Sequence, residues 1–285
     1  MKEIHDESID LIVTDPPYGI NFQSNTRLDK KEKIINDDNI NYLDFGKECF
    51  RVLKNNSHAY FFTRFDVYPQ HYQQLKEAGF NIKSVIVSDK LQNTGTGDLK
   101  GSFSNNMEWI IFCQKGRRIF NETKLIKNTK KAGTKLNRYA TPTTEYKRRL
   151  PMLWTVAQGY PPSVLNSASN KDNPHPTPKN IEFLEWLIQL SSNEGDIVLD
   201  PFVGSASTIL ASINTNRKFT GIELDERYYD FSKERVNTYI KDNGLESTYD
   251  LIREEESYED KQNDLMDDMW EQELDTQQDL INSTR

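Results

Sequence analysis

The chain has 285 residues, a formal charge of −8 and 35% apolar residues. No apolar run approaches the roughly 20 residues of a membrane helix, and the charged start MKEIHDESID lacks the apolar stretch of a secretory signal. Two cysteines, Cys49 and Cys113, and four scattered histidines exclude a disulfide framework and a cysteine-rich zinc site, so a cytoplasmic protein without a metal is expected.

The first predicted element is a strand at residues 9–14 (IDLIVT), followed by a helix at 42–54, a strand at 59–63 and a helix at 66–78. Two more apolar runs, at 83–88 and 108–114, read as strands. The helix at 178–192 has Thr177 as its N-cap and Pro178 at the first helical position. Strands at 196–199 and 219–224 then alternate with helices at 205–214 and 226–241. The apolar runs lack one-sided alternation, which indicates strands buried on both faces. Alternating strand and helix predicts an α/β fold with a doubly wound, mostly parallel sheet.

Two segments break this pattern. Residues 115–149 hold twelve Lys or Arg against Glu122 and Glu145, and aromatics are scattered through 117–173, which reads as an inserted module. From about residue 243 the chain turns acidic: residues 242–285 carry fifteen Asp or Glu against three cations. That tail is either a solvated appendage or, through Leu265, Met266, Met269, Trp270 and Leu274, a docking helix. Without it the chain is net basic, so the global acidity does not exclude a polyanionic partner.

Four constellations carry chemistry. Asp15-Pro16-Pro17-Tyr18 follows the first strand, at the carboxyl end where side chains of an open α/β sheet enter the ligand crevice. The carboxylate and a stiffened backbone carbonyl are hydrogen-bond acceptors and the tyrosine offers a π face, which suits a planar group bearing NH₂; a plain Pro-Pro turn is the alternative. Asp200-Pro201-Phe202-Val203-Gly204-Ser205 joins a buried strand to a helix, and its small residues let a ligand approach the backbone. It matches neither dinucleotide nor nucleoside-triphosphate phosphate loops. Glu223, at the end of the next predicted strand, suits ribose hydroxyls or is an ordinary strand-end charge. His175-Pro176-Thr177-Pro178-Lys179-Asn180 leads into a helix, and Lys179 there is a candidate for a ligand carboxylate.

The order of these motifs resembles the amino-DNA methyltransferases of the β arrangement, over about residues 8 to 240. SIDLIVTDPPYGI, RVLKNNSHAYFF, NNMEWIIFCQKG and EGDIVLDPFVGSAS are similar to family segments beyond the motif cores. The resemblance implies a Rossmann-like methyltransferase with a catalytic half (1–116), a target-recognition insertion (117–173), a cofactor-binding half (174–242) and an acidic tail (243–285). It implies S-adenosyl-L-methionine as cofactor, double-stranded DNA as partner, and a prokaryotic or phage origin; the family also admits a homodimer and a separate restriction nuclease. In that reading Asp15 and the Pro16 carbonyl, stiffened by Pro17, bind the target amino group, and Tyr18 stacks on the extruded base. Asp200, Pro201, Phe202, Gly204 and Ser205 surround the cofactor, Glu223 holds its ribose, and Thr177 and Lys179 lie near its methionine end.

The sequence departs from the family pattern in three places. Ala206 stands where the family has glycine, Pro178 and Asn180 depart from the usual HPTQKP, and a strand commonly found upstream of DPPY has no evident counterpart. Either the sheet is one strand short, the tail supplies the strand, with residues 248–252 as its one candidate, or the reading frame starts upstream.

Neither cysteine follows a proline, which disfavours C5 methylation of cytosine. The family tendency of Asp-Pro-Pro-Tyr points to the N6 amino group of adenine. N4 of cytosine, an RNA amino group, and a non-catalytic DNA-binding or cofactor-sensing module are the alternatives.

Overall fold

The computed structural model describes residues 1–19, 40–89, 107–121, 153–155 and 179–251. The chain forms two compact units, Met1–Tyr239 and Ile240–Arg285. The first holds a seven-stranded sheet among the described residues, built from β1 (Ile9–Thr14), β2 (Leu53–Thr63), β3 (Asn81–Asp89), β4 (Met107–Lys115), β5 (Leu153–Thr155), β6 (Ile197–Asp200) and β7 (Lys218–Gly221). The helices are α1 (Tyr42–Val52), α2 (Tyr68–Glu77), α3 (Ile181–Ser191), α4 (Ser207–Asn214) and α5 (Glu226–Asp242). No helix among the described residues is long and apolar enough to cross a membrane.

The strand order is β5-β3-β4-β2-β1-β6-β7. All pairings are parallel except those of β4, which runs antiparallel to both β2 and β3. The predicted doubly wound, mostly parallel sheet is therefore present. From β1 the chain moves through α1 to β2 on one side; from β6 it moves through α4 to β7 on the other. That reversal makes the gap beyond the ends of β1 and β6 the topological switch point, where open α/β sheets bind ligands.

Alternate residues feed two cores. Ile12, Ala59, Phe61, Ile111, Cys113 and Leu199 pack with Tyr42, Phe45, Cys49 and Leu75 of α1 and α2. Leu11, Val13, Tyr60, Phe62, Ile110, Phe112 and Val198 pack on the opposite face with Phe183, Leu184, Trp186, Leu187 and Ile188 of α3. Each large apolar side chain so buried contributes about 1.5–3 kcal/mol. Both cysteines are fully buried and unpaired, as small core residues. Asp10 stitches the centre of the sheet: one oxygen accepts from Lys54 Nζ of β2 at 2.7 Å, the other from the Ile197 amide of β6 at 3.0 Å.

Several predicted boundaries move. β2 begins at Leu53, where the sequence suggests helix until 54, because Leu53 pairs with Ile9 before the register jumps to Leu11–His58. The polar KNNS stretch within that jump, with Asn56 at φ 61°, hides the strand from any periodicity. α3 begins at Ile181 with Asn180 as its cap, not with Thr177 and Pro178: the Asn180 side chain accepts from the Phe183 amide at 2.8 Å, satisfying an otherwise orphaned donor. α4 starts at Ser207, after Ala206. β7 ends at Gly221, so Glu223 lies two residues beyond the strand and does not terminate it.

The sheet takes β5 from inside the basic insertion, on the edge beside β3. In the second unit, Thr248–Leu251 is turn and irregular chain, so among the described residues the tail supplies no strand. The apolar face at 265–274 lies outside the described residues.

Candidate active site

Asp15 leaves the end of β1 at the switch point, half-buried, followed by a buried Pro16. Tyr18 Oη donates to Asp15 Oδ1 at 2.5 Å. On the other side Lys179 Nζ lies 2.6 Å from Asp15 Oδ2 and donates to Glu108 Oε1 at 2.8 Å. The ammonium also sits over the Phe62 ring, 4.9 Å from its centroid. Lys179 thus meets the carboxylate that the sequence offers as an amino-group acceptor, and it does so as a largely buried side chain.

The charges in this cluster are fixed by their surroundings. Burial alone would pull the Lys179 ammonium down, but the Asp15 and Glu108 carboxylates hold it above its ordinary value, so it remains charged. Burial, then the charges of Asp15 and Glu108, push the Tyr18 phenol well above its ordinary value, so its hydroxyl stays a donor. Beside Tyr18, at 6.3 Å between ring centroids, lies His71. Its ring stacks on Tyr42 at 3.8 Å and its Nδ1 is 2.8 Å from Thr63 Oγ1. Burial brings His71 down to about 4, so it is neutral at pH 7.

Across the switch point Asp200 ends β6 almost wholly buried, its Oδ1 accepting from the Phe202 amide at 3.1 Å. Burial pushes this carboxyl up to about 7, against the opposing pull of the Thr208 and Thr14 hydroxyls and the Phe202 amide. The loop after it runs along β7, with Val203 N donating to Ile222 O at 3.0 Å. Gly221 permits that approach, since a Cβ there would meet Val203 Cγ2 at 2.5 Å. Glu223 closes the loop: Oε2 accepts from the Gly204 amide at 2.8 Å, and Oε1 from the amides of Leu224 and Asp225, both at 2.9 Å.

Phe202 packs edge-on against Phe45 of α1 at 5.2 Å. Ser205 Oγ lies 3.2 Å from Ser207 Oγ, and the Ser205 carbonyl accepts from Arg235 of α5. Ala206 is in the left-handed region, at φ 62° and ψ 24°.

The structure therefore brings Asp15, Pro16, Pro17, Tyr18, Asp200, Pro201, Phe202, Gly204 and Ser205 onto the loops that leave β1 and β6, with Glu223 just beyond β7. It places Lys179 beside Asp15. Thr177 lies outside the described residues. Glu108, His71 and Tyr42 carry no signal in the sequence that singles them out. A buried carboxylate, a second carboxylate holding loop amides and a run of small residues form a set of acceptors suited to a ligand with hydroxyls and a positive charge. The Asp15 face offers acceptors and an aromatic ring to a planar amino group.

Comparison with known proteins agrees with this geometry. Residues 9–234 match the DNA methylase family. The chain is 32% identical over 261 residues to the type II methyltransferase M.HpaI of Haemophilus parainfluenzae, covering 87% of this chain and 73% of that protein. It is 31% identical over 245 residues to the DNA adenine methyltransferase YhdJ of Escherichia coli K12, covering 83% and 79%. Among solved structures, M1.HpyAVI in its SAM complex superposes with a TM-score of 0.56 at 24% identity, covering 81% of this chain and 89% of that one. The cytosine-N4-specific PvuII DNA methyltransferase gives 0.55 at 17% identity, covering 87% and 89%.

Proposed function

The chain belongs to the DNA methylase family, and we propose that it transfers a methyl group from S-adenosylmethionine to the N6 amino group of adenine in double-stranded DNA. The observation that carries this reading is Asp15, held at the switch point with its two oxygens fixed by Tyr18 and Lys179, across from the Asp200–Ser205 loop. The Asp-Pro-Pro-Tyr form of the motif supports adenine over cytosine, and so does the likeness to an adenine-specific relative at 31% identity.

Asp200, the small residues Gly204 and Ser205, and Glu223 would hold the cofactor, Glu223 by its ribose hydroxyls. When bound, that group supplies an electrophilic methyl on a sulfonium. The chain's own residues do the rest. An exocyclic amino group is a poor nucleophile because its lone pair is delocalised into the ring. Asp15 and the Pro16 carbonyl accept its two hydrogens, which favours a pyramidal nitrogen with the lone pair directed at the methyl. The rate gain comes from positioning and a preorganised polar surround. The methylated nitrogen, cationic once alkylated, loses one proton to the Asp15 carboxylate, which releases it to solvent. The base reaches this pocket by leaving the helix stack, and the Tyr18 ring is the face it stacks on. The cations within 117–173 neutralise phosphates along the duplex.

Mapping modified bases in DNA from cells expressing the protein tests the assignment. N6-methyladenine in a fixed sequence context is the expected result. N4-methylcytosine in its place overturns the choice of base, and unmodified DNA overturns DNA as the polymer.

A further inference from the structure

Three side chains from distant parts of the sequence meet at one buried ammonium. Asp15 follows β1, Glu108 is the second residue of β4, and Lys179 immediately precedes the cap of α3. Their side chains retain only 23%, 17% and 10% of their exposure. Glu108 can reach Asp15 only because β4 runs antiparallel, which puts its first residues at the edge where the parallel strands end. We propose that Glu108 is a positioning residue for methyl transfer: it draws the Lys179 ammonium into one place, and the ammonium in turn fixes the Asp15 carboxylate as an amino-group acceptor. This inference rests on the role of Asp15 given above.

Two physical arguments support the assignment. The first is orientation. Lysine is a point charge on a flexible four-carbon stem, and a single partner would not define its position. Glu108 at 2.8 Å and Asp15 at 2.6 Å, with the Phe62 face beneath, hold it from three directions. With Tyr18 Oη on its other oxygen, Asp15 cannot turn about its side chain, and each of its oxygens keeps a further lone pair for the target.

The second argument is charge. Asp15 and Lys179 alone form a neutral pair, a weak acceptor beside a site meant for a cation. Glu108 returns the trio to one net negative charge, so the ammonium orients the acceptor without cancelling it. A brace that tied loops together for stability alone would work as well without that third charge.

The test measures single-turnover transfer of tritiated methyl from S-adenosylmethionine to DNA from a methylation-deficient host at saturating cofactor and DNA, together with the steady-state KM for each substrate. The variants are Glu108→Gln, Lys179→Met, the double variant and Asp15→Ala, each checked for native melting. Glu108→Gln keeps the shape and removes the charge. It is expected to slow transfer about 10-fold, and Lys179→Met about 100-fold, with KM for both substrates changed less than about 3-fold. Because Glu108 acts through Lys179, the double variant is expected to match Lys179→Met within about 3-fold, where independent effects would multiply to about 1000-fold. Glu108→Asp serves if the glutamine variant fails to fold, and is expected to recover most of the rate. An unchanged rate in Glu108→Gln, an effect on KM alone, or multiplicative losses overturns the brace. Asp15→Ala is expected to abolish transfer while retaining cofactor binding. If it remains active, the acceptor role itself fails; if it is dead while Glu108→Gln is unaffected, only the brace fails.

Discussion

Asp200→Asn gives the sharpest test of how the buried end of β6 is built. In the folded protein the Asp200 carboxyl titrates at about 7, against an ordinary value of 3.8, because burial penalises its charge. A carboxyl raised on folding keeps its proton in the native state while the unfolded chain has already lost it. Stability therefore falls as pH rises from about 4 to about 7 and is level above that, the reverse of a salt-bridged acid. A shift of about three units at about 1.4 kcal/mol per unit amounts to about 4 kcal/mol.

The amide of the asparagine variant would keep the oxygen that accepts from Phe202 and cannot ionise. Urea unfolding of both proteins from pH 4.5 to 8.5 should show the variant gaining on the wild type by about 1.4 kcal/mol per pH unit up to neutrality. His58 and His71, both lowered to about 4 by burial, also shape each curve but cancel in the difference. Parallel curves at all pH values would refute the argument. A cationic ligand favours the ionised carboxylate, so wild-type affinity for S-adenosylmethionine should rise toward pH 7 with proton release. The asparagine variant should show neither in calorimetry.

Other substitutions test neighbouring features. Ala206→Gly relieves a left-handed backbone worth about 1–2 kcal/mol. It also removes a buried methyl worth about 0.8 kcal/mol and loosens the unfolded chain by about 0.4–1 kcal/mol. The melt should move by less than about 1 kcal/mol, and a larger gain would show that the alanine is strained beyond its dihedral angles. Ser191→Ala removes the hydroxyl that lies 2.7 Å from His58 Nδ1 and 2.6 Å from Tyr60 Oη. Leaving both buried groups short of a partner should cost about 1–3 kcal/mol by chemical denaturation, and a neutral result would mean water replaces it. Replacing Lys130, Lys131, Arg148 and Arg149 with glutamine should flatten the log–log salt dependence of DNA binding by up to about 3–4 units. An unchanged slope removes those side chains from the interface.

The sheet is readable because its strands are apolar on both faces, and the two motif loops are readable because each leaves such a strand at its carboxyl end. Asp15 and Asp200 can therefore be assigned to one crevice from the order of elements alone. Lys179 stands out in the sequence as a functional candidate, but its partner does not. Glu108 lies near the start of a strand whose direction no local pattern reveals, so its arrival near Asp15 depends on β4 being antiparallel. The early part of β2 is hidden by KNNS, where the bulge against β1 breaks alternation. The cap of α3 is ambiguous in the sequence because threonine and asparagine both serve as caps, and only the Asn180–Phe183 bond decides between them. Glu223 reads as a strand end, whereas its ties to three amides fix it in the irregular segment between β7 and α5.

The Asp10 stitch has a consequence for how such proteins diversify. The spacing between the Asp15 side and the Asp200 side is set by ladder hydrogen bonds of β1 and β6 and by one carboxylate bridging three strands, all inside the sheet. The segment proposed to read DNA sequence follows β4, not β1 or β6, and can lengthen, shrink or be exchanged without altering that spacing. Replacing residues 122–152 with a foreign recognition segment, which leaves β5 and Lys179 in place, should accordingly redirect the enzyme to a new target word while leaving its chemistry running at the old pace.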